Sequence, residues 1–316
     1  MMRRVLGAVD IGGTKIAVGA VDTAGRILAK EECATRPREG FGVAMERIED
    51  MLERLVARSQ LTLSGIGIGC TGPVDPLSGA IGIVDFLPGW NGCNPVAQLA
   101  RRFGVRVAME NDADAMALGE LAWGAGHGRQ QLICVTVGTG IGGGIVIDGR
   151  LYRGVNGAHP EIGHHVIDAD GPACFCGARG CWEVLARGPA MVQRVLEAAP
   201  TSYAHRPALT AERICQLARE GDAIALAEVS REAAHLGTGI ANLVTLFAPE
   251  VVVLSGSVMQ SADLFLPAIR EQVRRQCGLI PADAVEIRLS SLAADAPLVG
   301  AAMVWGHRFR DTAVAC

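Results

Sequence analysis

Aromatic side chains are scarce in this chain, 4% of 316 residues, so any large core has to be built from Ala, Val, Ile and Leu. Half of the residues are hydrophobic, which is enough for such a core. Basic clusters are missing as well. A formal net charge of −4, with no Lys/Arg-rich block and no acidic tail, argues against a nucleic-acid coat or a polybasic membrane surface. Long apolar runs are absent too: the longest, Leu132 to Ile147, is broken by five glycines in seven positions and is no membrane span. Met1-Met2-Arg3-Arg4 ahead of Val5 to Val9 has the outline of a signal peptide. Asp10 cuts that run short and no small-residue cleavage site follows. These absences predict a cytoplasmic protein without a nucleic-acid or membrane partner.

A disulfide scaffold is excluded by size rather than by cysteine count, since that device belongs to small secreted domains. Seven of the ten cysteines, Cys33, Cys70, Cys93, Cys134, Cys215, Cys277 and Cys316, are scattered, mostly in apolar surroundings, and read as free thiols acting as small hydrophobes. No G-x-x-x-x-G-K-[ST] occurs, which excludes a P-loop. No Pro/Ser-rich linker separates domains, although the length suggests about two.

What the chain has in excess is glycine, 40 residues clustered around short strand-like runs. Val5 to Val9 and Ile16 to Val21 read as strands joined by the turn Asp10-Ile11-Gly12-Gly13-Thr14-Lys15. Leu132 to Val137 and Gly144 to Ile147 repeat that plan around Gly138-Thr139-Gly140-Ile141-Gly142-Gly143. Two such units more than 120 residues apart suggest a duplicated architecture. Between them, Ile48, Met51, Leu52, Leu55 and Val56 have the spacing of one helix face. Ile66 to Gly69 and Val105 to Met109 read as strands, the second leading into an Ala-rich helix that ends near Ala122. Leu236, Ile240, Leu243, Val244 and Phe247 mark a later helix, and Val251 to Leu254 a buried strand. The expected boundary lies near Asp112 to Met116. Residues 1–114 with about 298–316 then form a smaller α/β lobe and 115–297 a larger one, the last helix, about Leu298 to Phe309, crossing back.

Phosphate binding needs converging backbone N–H groups, which glycine permits. The first turn adds a hydroxyl, a cation and a carboxylate that could hold Mg²⁺ through water; the bland alternative is a hairpin with a salt-bridged Lys15. The second turn fits G-x-G-x-x-G, yet it leads into a strand rather than a helix, so a dinucleotide fingerprint is ruled out by context. A phosphate chain held by both turns is a plausible place for ATP. His164, Cys174, Cys176 and Cys181 are a full tetrahedral set for a structural Zn²⁺, with His165 as a rival ligand. Asn111-Asp112 directly follows a strand, where a base could face a cleft. Asp112 reads equally well as a helix N-cap, and Asp114 or Glu110 could be the base on spacing alone.

Together these residues resemble the ROK family (repressors, uncharacterised reading frames and kinases), over nearly the whole chain. The resemblance implies an α/β, two-lobed actin-like ATPase (ribonuclease H-like) fold with a structural zinc loop. It also implies ATP-dependent phosphorylation of a hexose. Asp10, Gly12, Gly13, Thr14 and Lys15 match the first phosphate motif, and Gly138, Thr139, Gly140 and Gly142 match the second. Gly256, within Ser255-Gly256-Ser257-Val258 where Gly-Gly-Gly-Val is usual, marks the nucleotide side. Gly72-Pro73-Val74-Asp75 and Pro88-Gly89-Trp90 resemble sugar-side loops. Asn111-Asp112 matches the motif whose aspartate is the catalytic base and whose asparagine binds a sugar hydroxyl. Glu161-x-Gly163-His164 matches the sugar-binding E-x-G-H whose histidine is also a zinc ligand, which favours His164 over His165. Cys174, Cys176 and Cys181 match the cysteine signature, and the following Glu183 reaches the sugar. The resemblance thus implies ATP with Mg²⁺, a structural Zn²⁺, a hexose substrate and a homodimer or homotetramer. Glucose at its 6-hydroxyl is the first expectation, N-acetylmannosamine or N-acetylglucosamine the second, and fructose the third, because His159-Pro160 resembles the fructokinases. A non-catalytic sugar-binding regulator is the alternative of another class. Family repressors carry a helix-turn-helix ahead of the sugar domain, for which the strand at Val5 is expected to leave no room.

Overall fold

The computed structural model describes residues 3–203 and 209–309; Met1, Met2 and Cys316 lie outside the described residues. In order come β1 (Arg3–Ile11), β2 (Lys15–Val21), β3 (Ile27–Ala34), α1 (Phe41–Ser59), β4 (Leu61–Cys70), β5 (Val74–Asp75), β6 (Ala80–Ile81), α2 (Pro95–Phe103), β7 (Val107–Asn111) and α3 (Asp112–Trp123). Then follow β8 (Leu132–Val137), β9 (Ile141–Ile147), β10 (Arg150–Leu151), α4 (Trp182–Leu185), α5 (Gly188–Ala198), α6 (Pro200–Tyr203), α7 (Ala211–Arg219) and α8 (Ala223–Phe247). The last elements are β11 (Val251–Ser255), α9 (Ala262–Gln276), β12 (Glu286–Leu289) and α10 (Ala296–Phe309). No helix among the described residues is long and apolar enough to cross a membrane.

The five-stranded sheets have the orders β3-β2-β1-β4-β7 and β10-β9-β8-β11-β12. In both, the first three strands in sequence form a meander and the next two add in order on the far side of the first. The duplication expected from the two glycine hairpins is therefore real, and it extends to whole sheets. In the first sheet β1 pairs antiparallel with β2 and parallel with β4, and β4 pairs parallel with β7. In the second, β11 is parallel to both β8 and β12.

Contacts divide the chain into two compact units. The first comprises the chain up to Gln130, Gly144–Pro160 and the chain from Ser290; the second comprises Gln131–Gly143 and Glu161–Leu289. The sequence-based division instead assigned 115–297 to a single lobe, most of α3 included. In the structure α3 belongs to the first unit, its Ala115 and Leu118 clustering with Met303 and Val304 of α10.

In the first unit, strand alternation sends Val9, Ile11, Val18 and Ile68 to one face, against Met45, Ile48 and Leu52 of α1. Ala8, Ala17 and Val21 face the other way, against Leu298, Ala301 and Ala302 of α10. Gly67 makes that second contact possible, because a Cβ there would overlap the Ala301 carbonyl. With so few aromatics, close approach of backbone to backbone supplies the packing that large rings would otherwise provide. In the second unit Val251, Val252 and Val253 are fully buried, as are Leu236, Ile240 and Val244 of α8. Trp182 lies against Gly239 of α8 and donates its indole N–H to the His235 carbonyl at 3.0 Å.

Candidate active site

In the first unit the glycine turn is tighter than expected. The ladder pairs Asp10 with Ala17 and Ile11 with Ile16, so Asp10 and Lys15 stand in strands and only Gly12, Gly13 and Thr14 turn. The Gly12 N–H donates to the Lys15 carbonyl at 2.9 Å, and the Thr35 hydroxyl donates to the Gly12 carbonyl at 2.6 Å. Lys15 faces Glu32 at 3.2 Å on the surface. Phe86, more than half exposed, lies against Gly13; the sequence reading did not single it out.

At the end of β7 the chain turns directly into α3. Asn111 is the N-cap: the Ala113 N–H donates to its Oδ1 at 2.9 Å. The same N–H also reaches Asp112 Oδ1, at 2.8 Å. The Asn111 amide donates in turn to the Gly72 carbonyl at 3.3 Å, tying the first sugar-side loop to this strand end. Asp10 and Asp112, both half-buried, abut Gly69: a Cβ there would stand 3.6 Å from Asp112 Cα and 3.8 Å from Asp10 Oδ1. Burial pushes the Asp10 carboxyl up to about 7, the charge of Asp112 adds to the rise, and Lys15 opposes it. Burial also raises Asp112, with Asp114 adding, while the Ala113 N–H and His159 pull it down. Asp10 near the end of β1 and Asp112 at the start of α3 are thus neighbouring acids that burial holds above the usual carboxylate range.

The two rival acids are engaged elsewhere. Asp114, fully buried, holds Arg153 Nη1 and His159 Nδ1 on one oxygen, each at 2.7 Å. Glu110 is paired with Arg153 Nη2. The sequence reading missed Arg153, and it read His159 only as a departure from the glucokinase-like pattern. The available signal was three carboxylates within five residues, Glu110 to Asp114, which a buried strand-to-helix junction cannot hold without cations. Trp90 of the second sugar-side loop is a core residue instead: fully buried, it stands edge-on to Phe41 at 5.3 Å.

In the second unit the glycine turn is again shorter than expected, because β9 already begins at Ile141. The Gly138 N–H closes the turn on the Gly140 carbonyl at 2.9 Å. The Ile141 N–H donates to Glu183 Oε2, also at 2.9 Å. A Cβ at Gly140 would stand 2.5 Å from that carboxylate oxygen, so glycine there leaves Glu183 in place on the Ile141 N–H. The Gly188 N–H donates to the Gly138 carbonyl, and Ser257, next to Gly256, lies against Gly138. The turn that carries Thr139 and Gly140 thus lies where Gly138 and Ile141 meet two other chain segments, and Gly142 follows it in β9. Glu161 is exposed at the entrance to the helical turn Ile162–His164, and its carbonyl accepts from the His164 N–H at 3.0 Å.

His164, Cys174, Cys176 and Cys181 form a cluster that could hold a metal ion, with ligand atoms all within 4.8 Å of one another. Cys174 Sγ is 3.6 Å from His164 Nδ1, and Cys176 Sγ is 3.5 Å from Cys181 Sγ. A tetrahedral ion with metal–sulfur bonds of about 2.3 Å places such atoms at comparable separations. The Ala178 N–H lowers the Cys176 thiol, whereas burial pushes Cys181 up to about 12. A cation in the centre is what would hold all three as thiolates. His165 stands apart: its Nδ1 lies 2.6 Å from the Ile162 carbonyl, and its ring leans on Trp182.

The model of the ROK family matches residues 6–308. A glucokinase of Thermotoga maritima is 33% identical over 309 residues, 95% of this chain and 96% of that protein. A ROK hexokinase structure from Thermus thermophilus superposes with a TM-score of 0.85 at 36% identity, covering 97% of this chain and 99% of that one. The structure of a ROK family glucokinase from Streptomyces griseus in complex with glucose and AMPPNP has a TM-score of 0.76 at 34% identity, covering 94% and 98%. Over nearly its whole described length, this chain belongs to the ROK family.

Proposed function

We propose that the protein is an ATP-dependent sugar kinase of the actin-like ATPase fold that phosphorylates glucose on its 6-hydroxyl. One observation carries the reading: Asp112 opens α3 directly after β7, bound to no cation among the described residues and beside Asp10, while Glu110 and Asp114 are held by Arg153 and His159. A base raised above the usual carboxylate range by burial, with one carboxylate oxygen fixed by the Ala113 N–H, suits removal of an alcohol proton as the phosphoryl group moves. Asn111, Gly72, Glu161, His164 and Glu183 orient the hexose. Gly12, Gly13, Thr14 and Lys15, with Gly138, Thr139, Gly140, Gly142 and Gly256, bind the nucleotide.

Asp10 would face the Mg²⁺ that accompanies ATP, a cation that neutralises charge on the phosphates. His164, Cys174, Cys176 and Cys181 would hold Zn²⁺, whose closed ligand set gives it a structural part. A cytoplasmic homodimer or homotetramer completes the reading. The test is sugar-dependent ADP release over glucose, fructose, mannose, N-acetylglucosamine and N-acetylmannosamine. Asp112→Asn should keep sugar affinity within a few fold and lower turnover by about 10³ or more. Near-normal turnover removes Asp112 from the role. A xylose repressor of Bacillus subtilis, 31% identical over 267 residues, supports a second reading as a sugar-responsive regulator. A regulator would bind sugar and leave ATP intact.

A further inference from the structure

Glu183, whose carboxylate accepts from the Ile141 N–H at the second glycine turn, is carried by α4, a helix of four residues with no side-chain cap. A single turn of that length does not hold its place unaided. Its front end is tied by the Trp182 N–H, which donates to the His165 carbonyl at 2.9 Å, and by the Trp182 indole on the His235 carbonyl. Its far end is tied at one atom. The Leu185 carbonyl oxygen accepts from Arg194 Nη1 of α5 at 2.6 Å, and His235 Nδ1 of α8 lies 3.1 Å from it. The rest of that guanidinium is committed to α8. Its Nε and Nη2 donate to Glu228 Oε1 at 2.9 and 2.6 Å, and Nη2 also donates to Glu232 Oε2 at 2.7 Å. Glu228 and Glu232, one turn apart on α8, are both buried, and the Arg194 side chain is only 15% exposed. All of these residues belong to the second unit.

A buried ion network of this kind is a poor source of stability, because desolvating the charges consumes most of their attraction. What it supplies is position. Once Nε and Nη2 are fixed on two carboxylates, the planar fork sets where Nη1 points. We propose that Arg194 is a positioning residue for the nucleotide side of the site: by fixing the Leu185 carbonyl to α8 it holds α4, and so Glu183, against the Ile141 N–H of the second glycine turn. A displacement of α4 by roughly 1 Å would break that 2.9 Å bond. The proposal rests on the reading of this turn as a nucleotide site, and the test separates the two.

Arg194→Met alone would strand two buried carboxylates, so the main variant combines it with Glu228→Met and Glu232→Met, which leaves no unpaired charge. Arg194→Lys, as a second variant, keeps the charge without the fork. Thermal melting of the full-length protein identifies the folded ones, and either suffices. In the triple variant the Ile141 amide should exchange its hydrogen about tenfold faster, while the amides of β11 keep the parent's rates. The kcat/KM for ATP should fall, and the Kd for ADP rise, by about tenfold, the effect of losing one hydrogen bond to a charged group. Arg194→Lys should show the same changes at about threefold. In a Glu183→Ala background the triple substitution should move the Kd for ADP by less than about threefold. Unchanged exchange at Ile141 in a folded variant overturns the proposal. So does an equal rise across β11, which general loosening would produce, and so does a full cost in the Glu183→Ala background. Gly140→Ala is run in parallel. If it lowers kcat/KM for ATP and the folded Arg194 variants do not, the nucleotide reading of the turn stands and the role of Arg194 falls. If neither lowers it, both fall.

Discussion

Replacing Gly140 by alanine tests how the second glycine turn is held. The new Cβ would stand 2.5 Å from Glu183 Oε2 and 3.2 Å from its Cδ, so the carboxylate has to retreat. Ordinary contact between such atoms begins near 3.5 Å, which asks for a shift of roughly 1 Å. The 2.9 Å hydrogen bond from the Ile141 N–H does not survive that shift. Hydrogen bonds to charged groups contribute about 1.5–3 kcal/mol. At about 1.4 kcal/mol per tenfold, Gly140→Ala should lower kcat/KM for ATP by roughly 10- to 150-fold while the protein stays folded. Steady-state kinetics with thermal melting give the direct reading. The sharper one is a double-mutant cycle with Glu183→Ala, which removes the atoms that the new methyl strikes. In that background Gly140→Ala should cost less than about threefold. A cost that is the same in both backgrounds would refute the reasoning, because the damage would then arise in the turn's own backbone.

On the proposal that the His164 and cysteine cluster holds a structural metal ion, Cys176→Ser should lower the metal content, read by elemental analysis of the purified protein, and lower the Tm by several degrees; unchanged stability in a metal-free variant would contradict a structural metal. Asp10 supplies a pH prediction whose sign follows from its raised carboxyl, about 7 in the folded chain against 3.8 as its ordinary value. Between those pH values the folded chain binds the extra proton, so this group's contribution to stability falls as pH rises from about 4 to 7. Asp10→Asn should therefore melt above the parent at pH 8, with the gap closing towards pH 4. A gap independent of pH would mean that burial does not govern this carboxyl.

The parts of the site that were legible are those whose chemistry dictates residue type within one short segment. Three thiolates and an imidazole within 18 residues can be read without a fold, and the cluster closes as that spacing required. The two glycine hairpins were legible for the same reason, and their repetition announced the duplicated sheets. Their limits were not, because a strand ends where its ladder partner ends. Asp10 lies in β1 since Ala17 opposite it is still in β2, and Ile141 lies in β9 rather than in the turn. The helix α2 was missed although Asn94-Pro95 is an N-cap followed by proline at the first helical position, a signal available from sequence. In α9, Pro267 and a mixed arginine face blur the period.

Asp114 was the harder case. On spacing alone it was one of three interchangeable acids, and only the resemblance of Asn111-Asp112 to a family motif favoured Asp112. What separates them is a loop some 40 residues further on, which delivers Arg153 and His159 to one of the two and leaves the other without a cation among the described residues. On the proposed reading of Asp112 as the base, the choice among neighbouring carboxylates follows from where the counter-charges land, a long-range property of the fold. The same logic explains why His159 looked like a mere family variation: its consequence exists only once Asp114 stands beneath it.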